Sequence, residues 1–218
     1  ASAGTASGCS IVSSTGVLTA TSVGTCIVYA TMAGNTNYTL VTSATITATF
    51  TKQNQAAVTL GSQTVSYTAL GNNFATLLAA GGSGTGLYTY VVTTPGAGCA
   101  VNSTTGVLTY TSAGTCGVTA TNAADVNYLV ASSSVTTFTV NQAPQATLTS
   151  SATTAGWNST ITVSTTGGST GGTETYYASA GTASGCSIVS STGVLTATSV
   201  GTCIVYATMA GNTNYTLV

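Results

Sequence analysis

The stretch GCSIVSSTGVLTATSVGTCIVYATMAGNTNY, residues 8–38, occurs three times in this chain. It returns unchanged at 185–215, as part of a 41-residue identity between 1–41 and 178–218. It also returns in diverged form at 98–128, where 19 of 31 positions match. Identity over a 177-residue period indicates a window from a longer tandem array, because independent domains would have drifted apart. The shorter period predicts a module of about 88 residues in two alternating versions.

Alternation of apolar and polar residues predicts β-strands along the whole chain. The clearest candidates are 107–111, 118–121, 135–140 and 161–163, which are rich in β-branched residues. Turn-forming stretches such as 81–86 separate them, and no segment keeps helical spacing over ten residues. Short strands with a turn every 8–12 residues predict an all-β chain of tandem immunoglobulin-like β-sandwich modules.

The alignment of the repeats also predicts module boundaries. Residues 1–51 would be the C-terminal half of an immunoglobulin-like module, and 52–140 a complete module. Residues 141–218 would be a module without its last strand, which corresponds to 42–51 of the repeat. Each complete module of roughly 90 residues is large enough for one modest core.

The six cysteines fall into three pairs, each 17 residues apart: Cys9 and Cys26, Cys99 and Cys116, Cys186 and Cys203. Evenly spaced pairs predict one disulfide within each module and an oxidising compartment. A 17-residue loop closed by a disulfide would add about 3 kcal/mol to the stability of a module. A zinc site would need clustered thiolates or histidines, so no metal is expected.

The composition excludes several classes of function. The chain has one lysine (Lys52), two acids (Asp125 and Glu174), and neither arginine nor histidine. There is no histidine base, and the two acids are predicted to lie in non-equivalent loops of different modules. The chain is therefore not expected to be an enzyme or to hold a cofactor. Two acids cannot form a calcium cluster, and no nucleic-acid partner is expected.

The apolar residues make up 43% of the chain but never gather into a run of about 20, so no membrane insertion is predicted for this segment. The first residues also lack the features of a secretory signal, as the interior of an exported precursor would.

The aromatic residues were assigned structural roles from their positions. Tyr38, Tyr128 and Tyr215 each follow an asparagine just before the last strand of a module, which favours packing at a sandwich corner over ligand stacking. Trp157 occurs once per period and is predicted to cap a core.

The order of five motifs carries a family resemblance: GGSGTG at 81–86, GC at 98–99, GVLT at 106–109, SAGTCGVTAT at 112–121 and AADVNY at 123–128. This order resembles the bacterial immunoglobulin-like (Big-type) repeats of large exported surface and adhesin proteins. The resemblance implies tandem immunoglobulin-like sandwiches in an extracellular stalk or adhesin at the cell surface.

Three functions remain open from the sequence. The first is a structural rod, stalk or self-assembling filament, whose partners are copies of itself. The second is an adhesin module that binds a surface, a glycan or a host receptor, and the third is a functional amyloid. Identical repeats favour the first function, since they indicate a role in the length and mechanical properties of a structure. A net charge of −1 leaves little repulsion between copies, so self-association is expected.

Overall fold

The computed structural model describes residues 1–68, 71–151 and 153–218. Apart from one 3-10 turn, Gly96–Gly98, the regular structure of these residues consists of β-strands. The prediction of an all-β chain is confirmed. Among the described residues, no helix has the length and apolar character needed to cross a membrane. The predicted ranges 1–51, 52–140 and 141–218 are called below the half-module, the complete module and the third module.

The half-module contains seven strands, and β4 lies at the centre of its sheet. Strand β4 pairs antiparallel with β1 on one side and with β7 on the other, while β2 pairs with β3 and β5 with β6. The strands are β1 Ser2–Ala3, β2 Ser10–Val12, β3 Val17–Thr19, β4 Gly24–Val28, β5 Thr31–Met32, β6 Val41–Thr42 and β7 Ile46–Phe50.

Within its described residues, 52–68 and 71–140, the complete module contains ten strands arranged as a sandwich. One sheet has the order β12-β15-β17-β9, with β16 paired to β15; the other contains β10-β14-β13, and β8 pairs with β11. Strand β9 runs parallel to β17, and the other pairs are antiparallel. The strands are β8 Val58–Leu60, β9 Gln63–Ser66, β10 Phe74–Thr76, β11 Ala79–Gly81, β12 Tyr88–Thr94, β13 Ala100–Val101, β14 Val107–Thr109, β15 Gly114–Asn122, β16 Ala131–Ser132 and β17 Thr136–Asn141.

Alternating residues of both sheets form the core of the complete module, as the period of a strand requires. Its twelve buried members are Val58, Leu60, Leu77, Tyr90, Cys99, Leu108, Tyr110, Cys116, Val118, Ala120, Phe138 and Val140. Gly106, at the turn before β14, has φ +69°, and a Cβ there would lie 2.7 Å from the carbonyl oxygen of Leu77 and 3.0 Å from the ring of Tyr90. Only glycine combines this backbone with so close an approach.

Among its described residues, the third module contains seven strands and a smaller core. The buried residues of this core cluster are Val163, Tyr176 and Leu195, with a cavity of about 540 Å³ beside them. The strands are β18 Thr149–Ser150, β19 Ile161–Thr162, β20 Thr165–Thr166, β21 Glu174–Ala180, β22 Ser187–Ile188, β23 Val194–Thr196 and β24 Cys203–Met209. The main ladder joins β21 to β24 antiparallel over seven residue pairs.

Two local expectations differ from the structure. Trp157 does not cap a core, because a turn closed by the Ser159 N–H and the Gly156 carbonyl (3.2 Å) holds it at the surface, where it is 67% exposed. Glu174 was placed in a loop, but it is the first residue of β21, where its carboxylate accepts a hydrogen bond from the Tyr176 hydroxyl.

Candidate functional site: the joints between modules

The three cysteine pairs are closed as disulfides within the predicted modules. Each joins residues 17 positions apart, with Cα–Cα distances of 5.8, 6.3 and 5.8 Å along the chain. In each pair the second cysteine lies in a strand of the module's longest antiparallel ladder, β4, β15 or β24. The disulfides therefore tie the loop that precedes each hairpin to the strand that carries most of the backbone pairing.

The few charged groups of the chain are engaged in local structure. Asp125 accepts hydrogen bonds from the backbone N–H groups of Thr85 (2.8 Å), Asn127 (2.9 Å) and Tyr128 (2.8 Å). These donors, that of Thr85 foremost, stabilise the carboxylate and lower the pKa of Asp125 below its usual value. Within the part of the chain that the structure describes, no three His, Cys, Asp or Glu side chains come together as metal ligands.

The loop that contains Asp125 has the same turn in all three modules. Asn35 and Asn212 occupy the positions equivalent to Asp125, and each accepts the backbone N–H groups two and three residues further on at 2.8–3.0 Å. These are Asx turns, in which a short polar side chain replaces a backbone acceptor. We call this segment, 35–38, 125–128 or 212–215, the Asn-Tyr loop.

A glutamine fixes the start of each later module to the residues on both sides of its own Asn-Tyr loop. The Nε2 group of Gln145, which is only 8% exposed, donates to the carbonyl oxygens of Met209 (3.2 Å), Ala210 (3.1 Å) and Thr216 (2.9 Å). Gln55 makes the equivalent bonds in the complete module, to the carbonyls of Asn122, Ala123 and Leu129. A buried amide with its hydrogen bonds satisfied stabilises one arrangement of these loops.

The first residues of each later module, which form a short linker from the module before, also pair with that module's Asn-Tyr loop. Gln53 bridges Tyr128 in a parallel arrangement, with its N–H donating to the Asn127 carbonyl at 2.9 Å. Ala143 bridges Tyr215 in the same way, with its N–H 2.8 Å from the Asn214 carbonyl.

The side chain one residue earlier in the linker adds a further bond. Lys52 Nζ donates to the Asp125 carbonyl, and Gln142 Nε2 donates to the Asn212 carbonyl, both at 2.6 Å. We call the region where consecutive modules meet a joint. The neutral Gln142 thus makes at the second joint the same bond that Lys52 makes at the first.

Side chains of the Asn-Tyr loop reach the preceding module at both joints. Asn127 Oδ1 accepts the backbone N–H of Val23 at 3.1 Å, and Asn214 Oδ1 accepts that of Ala113 at 2.8 Å. At the second joint the ring of Tyr215 also meets Tyr67 edge to face, with centroids 5.7 Å apart. Each joint therefore includes a small polar contact, which recurs with the shorter period of about 88 residues.

The sequence pointed to the Asn-Tyr motif but not to its role. Tyr128 and Tyr215 are half-buried in the linker bridges, whereas Tyr38 is 75% exposed, so the prediction of a corner tyrosine is wrong for Tyr38. The asparagine, which makes the contact between modules, recurs at a fixed distance from Gly-Thr-Cys just as the tyrosine does, so the sequence did not distinguish the two residues.

No family model matches the chain, and no curated protein sequence matches it. Among solved structures, the chain is similar to protocadherin gamma B2 extracellular cadherin domains 3–6, with 15% identity and a TM-score of 0.36 over 88% of this chain. It is also similar to Drosophila N-cadherin EC1–4, with 12% identity and a TM-score of 0.33 over 89% of this chain. The chain spans 56% of the length of each of these structures.

Proposed function

We propose that the chain is a structural repeat array that forms an extracellular rod, stalk or self-assembling filament on a bacterial surface. The observation that carries the proposal is the joint, which recurs with equivalent contacts between 1–51 and 52–140 and between 52–140 and 141–218. A repeated joint adds each module in the same orientation to the one before it, and so extends a linear array. The resemblance to bacterial immunoglobulin-like repeats is part of this proposal.

The three disulfides support the extracellular placement. Each lies within a predicted module and closes a short loop, as in small exported domains that rely on cross-links for part of their stability. We propose an oxidising, extracellular location at the cell surface.

The proposal includes neither an enzymatic activity nor a cofactor. Asp125 is committed to the Asx turn, and Glu174 accepts the hydroxyl of Tyr176 in a different module. The chain has no histidine that could activate its many Ser and Thr hydroxyls.

Copies of the chain are the proposed partners. Thr109 lies on β14 and Thr111 just beyond it, both are exposed, and neighbouring strands present further Thr and Ser side chains. Rows of neutral hydroxyls without lysine or other charges offer no barrier to strand or face contacts between copies.

Sedimentation velocity over a range of concentrations tests this association. The unchanged chain is expected to form larger species at neutral pH, and Thr109→Lys is expected to reduce them while the circular dichroism spectrum stays the same. Thr109→Gln, which adds bulk without charge, is the matched control and should retain association. A chain that stays monomeric at high concentration would contradict the proposal.

An adhesin is the second candidate, and one observation favours it. Tyr177 and Tyr206 stack on the outer face of the β21–β24 ladder, with ring centroids 4.8 Å apart and planes 11° apart. They are 40% and 56% exposed, and an exposed aromatic pair is suited to contact with the apolar face of a sugar. Binding to a glycan array that is lost in Tyr206→Ala would favour this function over the structural one.

A further inference from the structure

The side chains of Asn127 and Asn214 make the same contact at two separate joints. Each amide oxygen accepts the backbone N–H of the residue directly before a Gly-Thr-Cys sequence, Val23 in one case and Ala113 in the other. The partners are 104 and 101 residues apart along the chain, so local sequence does not dictate the contact. Because the same contact is found at both joints, we infer that it is a general feature of how consecutive modules of this repeat meet.

The preceding module contributes only a backbone group to this contact. Val23 and Ala113 differ in side chain, yet both donate a backbone N–H at hydrogen-bonding distance. Because only the backbone N–H takes part, the side chain of the donating residue can differ between modules. The accepting side chain on the other module must keep its length. Asparagine provides that acceptor in both versions of the module.

The accepting side chain is held in place by its own module before it meets its partner. The backbone N–H of Asn127 donates to Asp125, and its carbonyl accepts from Gln53 in the linker. The equivalent groups of Asn214 bond to Asn212 and Ala143. Because the loop is already ordered, the amide forms its bond to the next module without a further large loss of conformational entropy.

We propose that Asn127 and Asn214 hold consecutive modules in one fixed orientation. We call the hydrogen bond from each of these amide oxygens to the preceding module the latch. The partner that each latch fits is the loop before Gly-Thr-Cys of a module of this same repeat family. The inference rests on the proposed structural function and adds to it the residue that makes a flexible string of modules into a rod. The latch is neutral and needs no bound ion, unlike a joint stiffened by calcium.

Amide hydrogen exchange measured by NMR on the full chain tests the latch directly. Asn127→Ala removes the acceptor of Val23 but keeps the backbone bond to Asp125, so exchange at Val23 should rise roughly two- to tenfold. Exchange at Ala113 should not change. Asn214→Ala should give the reciprocal pattern, with faster exchange at Ala113 only, and Asn214→Asp, which keeps an accepting oxygen, should restore protection.

Trypsin provides a second readout, because Lys52 is the only tryptic site and lies in the first joint. The N–H of Gln53, which belongs to the scissile bond, donates to the Asn127 carbonyl, so cleavage requires the linker to separate from the Asn-Tyr loop, and the contact of Asn127 with the preceding module opposes that separation. Asn127→Ala should speed cleavage roughly two- to tenfold. Asn214→Ala makes the same change in the other joint and should leave the cleavage rate unaltered.

Unchanged exchange at Val23 and unchanged cleavage in Asn127→Ala would overturn the latch, and so would a loss of protection at both amides in either variant. Either result would remove the fixed joint between modules but not the association between copies, which the sedimentation of the unaltered chain tests separately. Reciprocal exchange in a chain that does not associate would instead retain the latch and remove the proposed self-association.

Discussion

The first 41 residues and the last 41 have one sequence but different neighbours. Both copies form the same hairpin, in which Ile11 pairs with Leu18 and Ile188 with Leu195, and both close the same 17-residue disulfide loop. The strand that follows pairs in both copies with the start of the repeat, which is β1 in the first copy and the end of β21 in the last, in the same register. Only β4 has a second partner, β7, and only β24 pairs further with residues that precede the repeat.

Burial follows the neighbours and not the sequence. Cys26 is fully buried in β4, between β1 and β7, whereas the identical Cys203 is half-buried. Conversely, Met32 is 71% exposed and its identical counterpart Met209 only 5% exposed, against Gly168 and the rest of the third module. Hairpins, disulfides and Asx turns are thus specified within the 41 residues, while the core is specified by residues far along the chain.

The largest expected effect is one that the two copies share. Replacing Cys9 and Cys26 with alanine should cost the half-module about 3 kcal/mol, and the same change at Cys186 and Cys203 should cost the third module a similar amount. The loops have equal length, so the gain from restricting the unfolded chain is equal. Hydrogen exchange of the β4 and β24 amides measures both losses, and a severalfold difference between them would show that burial outweighs loop closure.

Met209→Ala and Met32→Ala make the same change in the two copies. Their effects on the free energy of unfolding should differ more than those of any other matched pair proposed here. The loss at Met209 is expected to be about 2–4 kcal/mol, since it leaves a cavity in a buried site. The loss at Met32 should stay within about 0.5 kcal/mol, as for most exposed positions. Thermal unfolding of the two variants gives the comparison, and equal losses would mean that the half-module is covered in solution.

The pH dependence of the Asn-Tyr loops should be confined to one of them. The pKa of Asp125 is lowered in the folded chain, so its stabilisation is present above the ordinary carboxyl pKa and is lost as the pH falls through the lowered value. The equivalent Asn35 and Asn212 do not titrate. Exchange at Asn127 and Tyr128 should therefore increase in acid after correction for intrinsic rates, whereas exchange at Asn214 and Tyr215 should not.

Asp125→Asn is the matched control for this titration, since it copies the side chain of the other two loops. It should remove the acid dependence with little effect at neutral pH. Acid sensitivity that persists in Asp125→Asn would assign the effect to another group.

The smallest expected effect is that of calcium. Two acids in different modules offer no shared site, so neither calcium nor a chelator should change the melting temperature of any module or of either joint. A shift of several degrees on adding a chelator would contradict a joint held by neutral groups.

Much of the fold could be predicted from the sequence because its signals are local. Strands at 107–111, 118–121, 135–140 and 161–163 were predicted, and the structure has strands at each of these places, with small differences at their ends. The turn at 81–86 lies largely between β11 and β12, as predicted. Period-two patterning and glycine identify such features without knowledge of the tertiary fold.

The features that were missed depend on distant partners. Strand β9 pairs parallel with β17, some 75 residues away in sequence, and nothing in 63–66 indicates it. Trp157 looked like a core residue by its type alone, but a local turn places it at the surface. The contact of Asn127 with Val23 also joins two modules, and only the recurrence of the motif could have suggested it.

Electron microscopy of a protein with three consecutive 177-residue periods would show directly whether the repeats join into a linear array of sandwich modules. We expect an extended row with two beads per period and a spacing of about 40 Å, the length of a sandwich strand with its turns. Clusters without linear order would contradict the repeated joint, and a fibre with an axial repeat of about 4.7 Å would replace the sandwiches with cross-β structure.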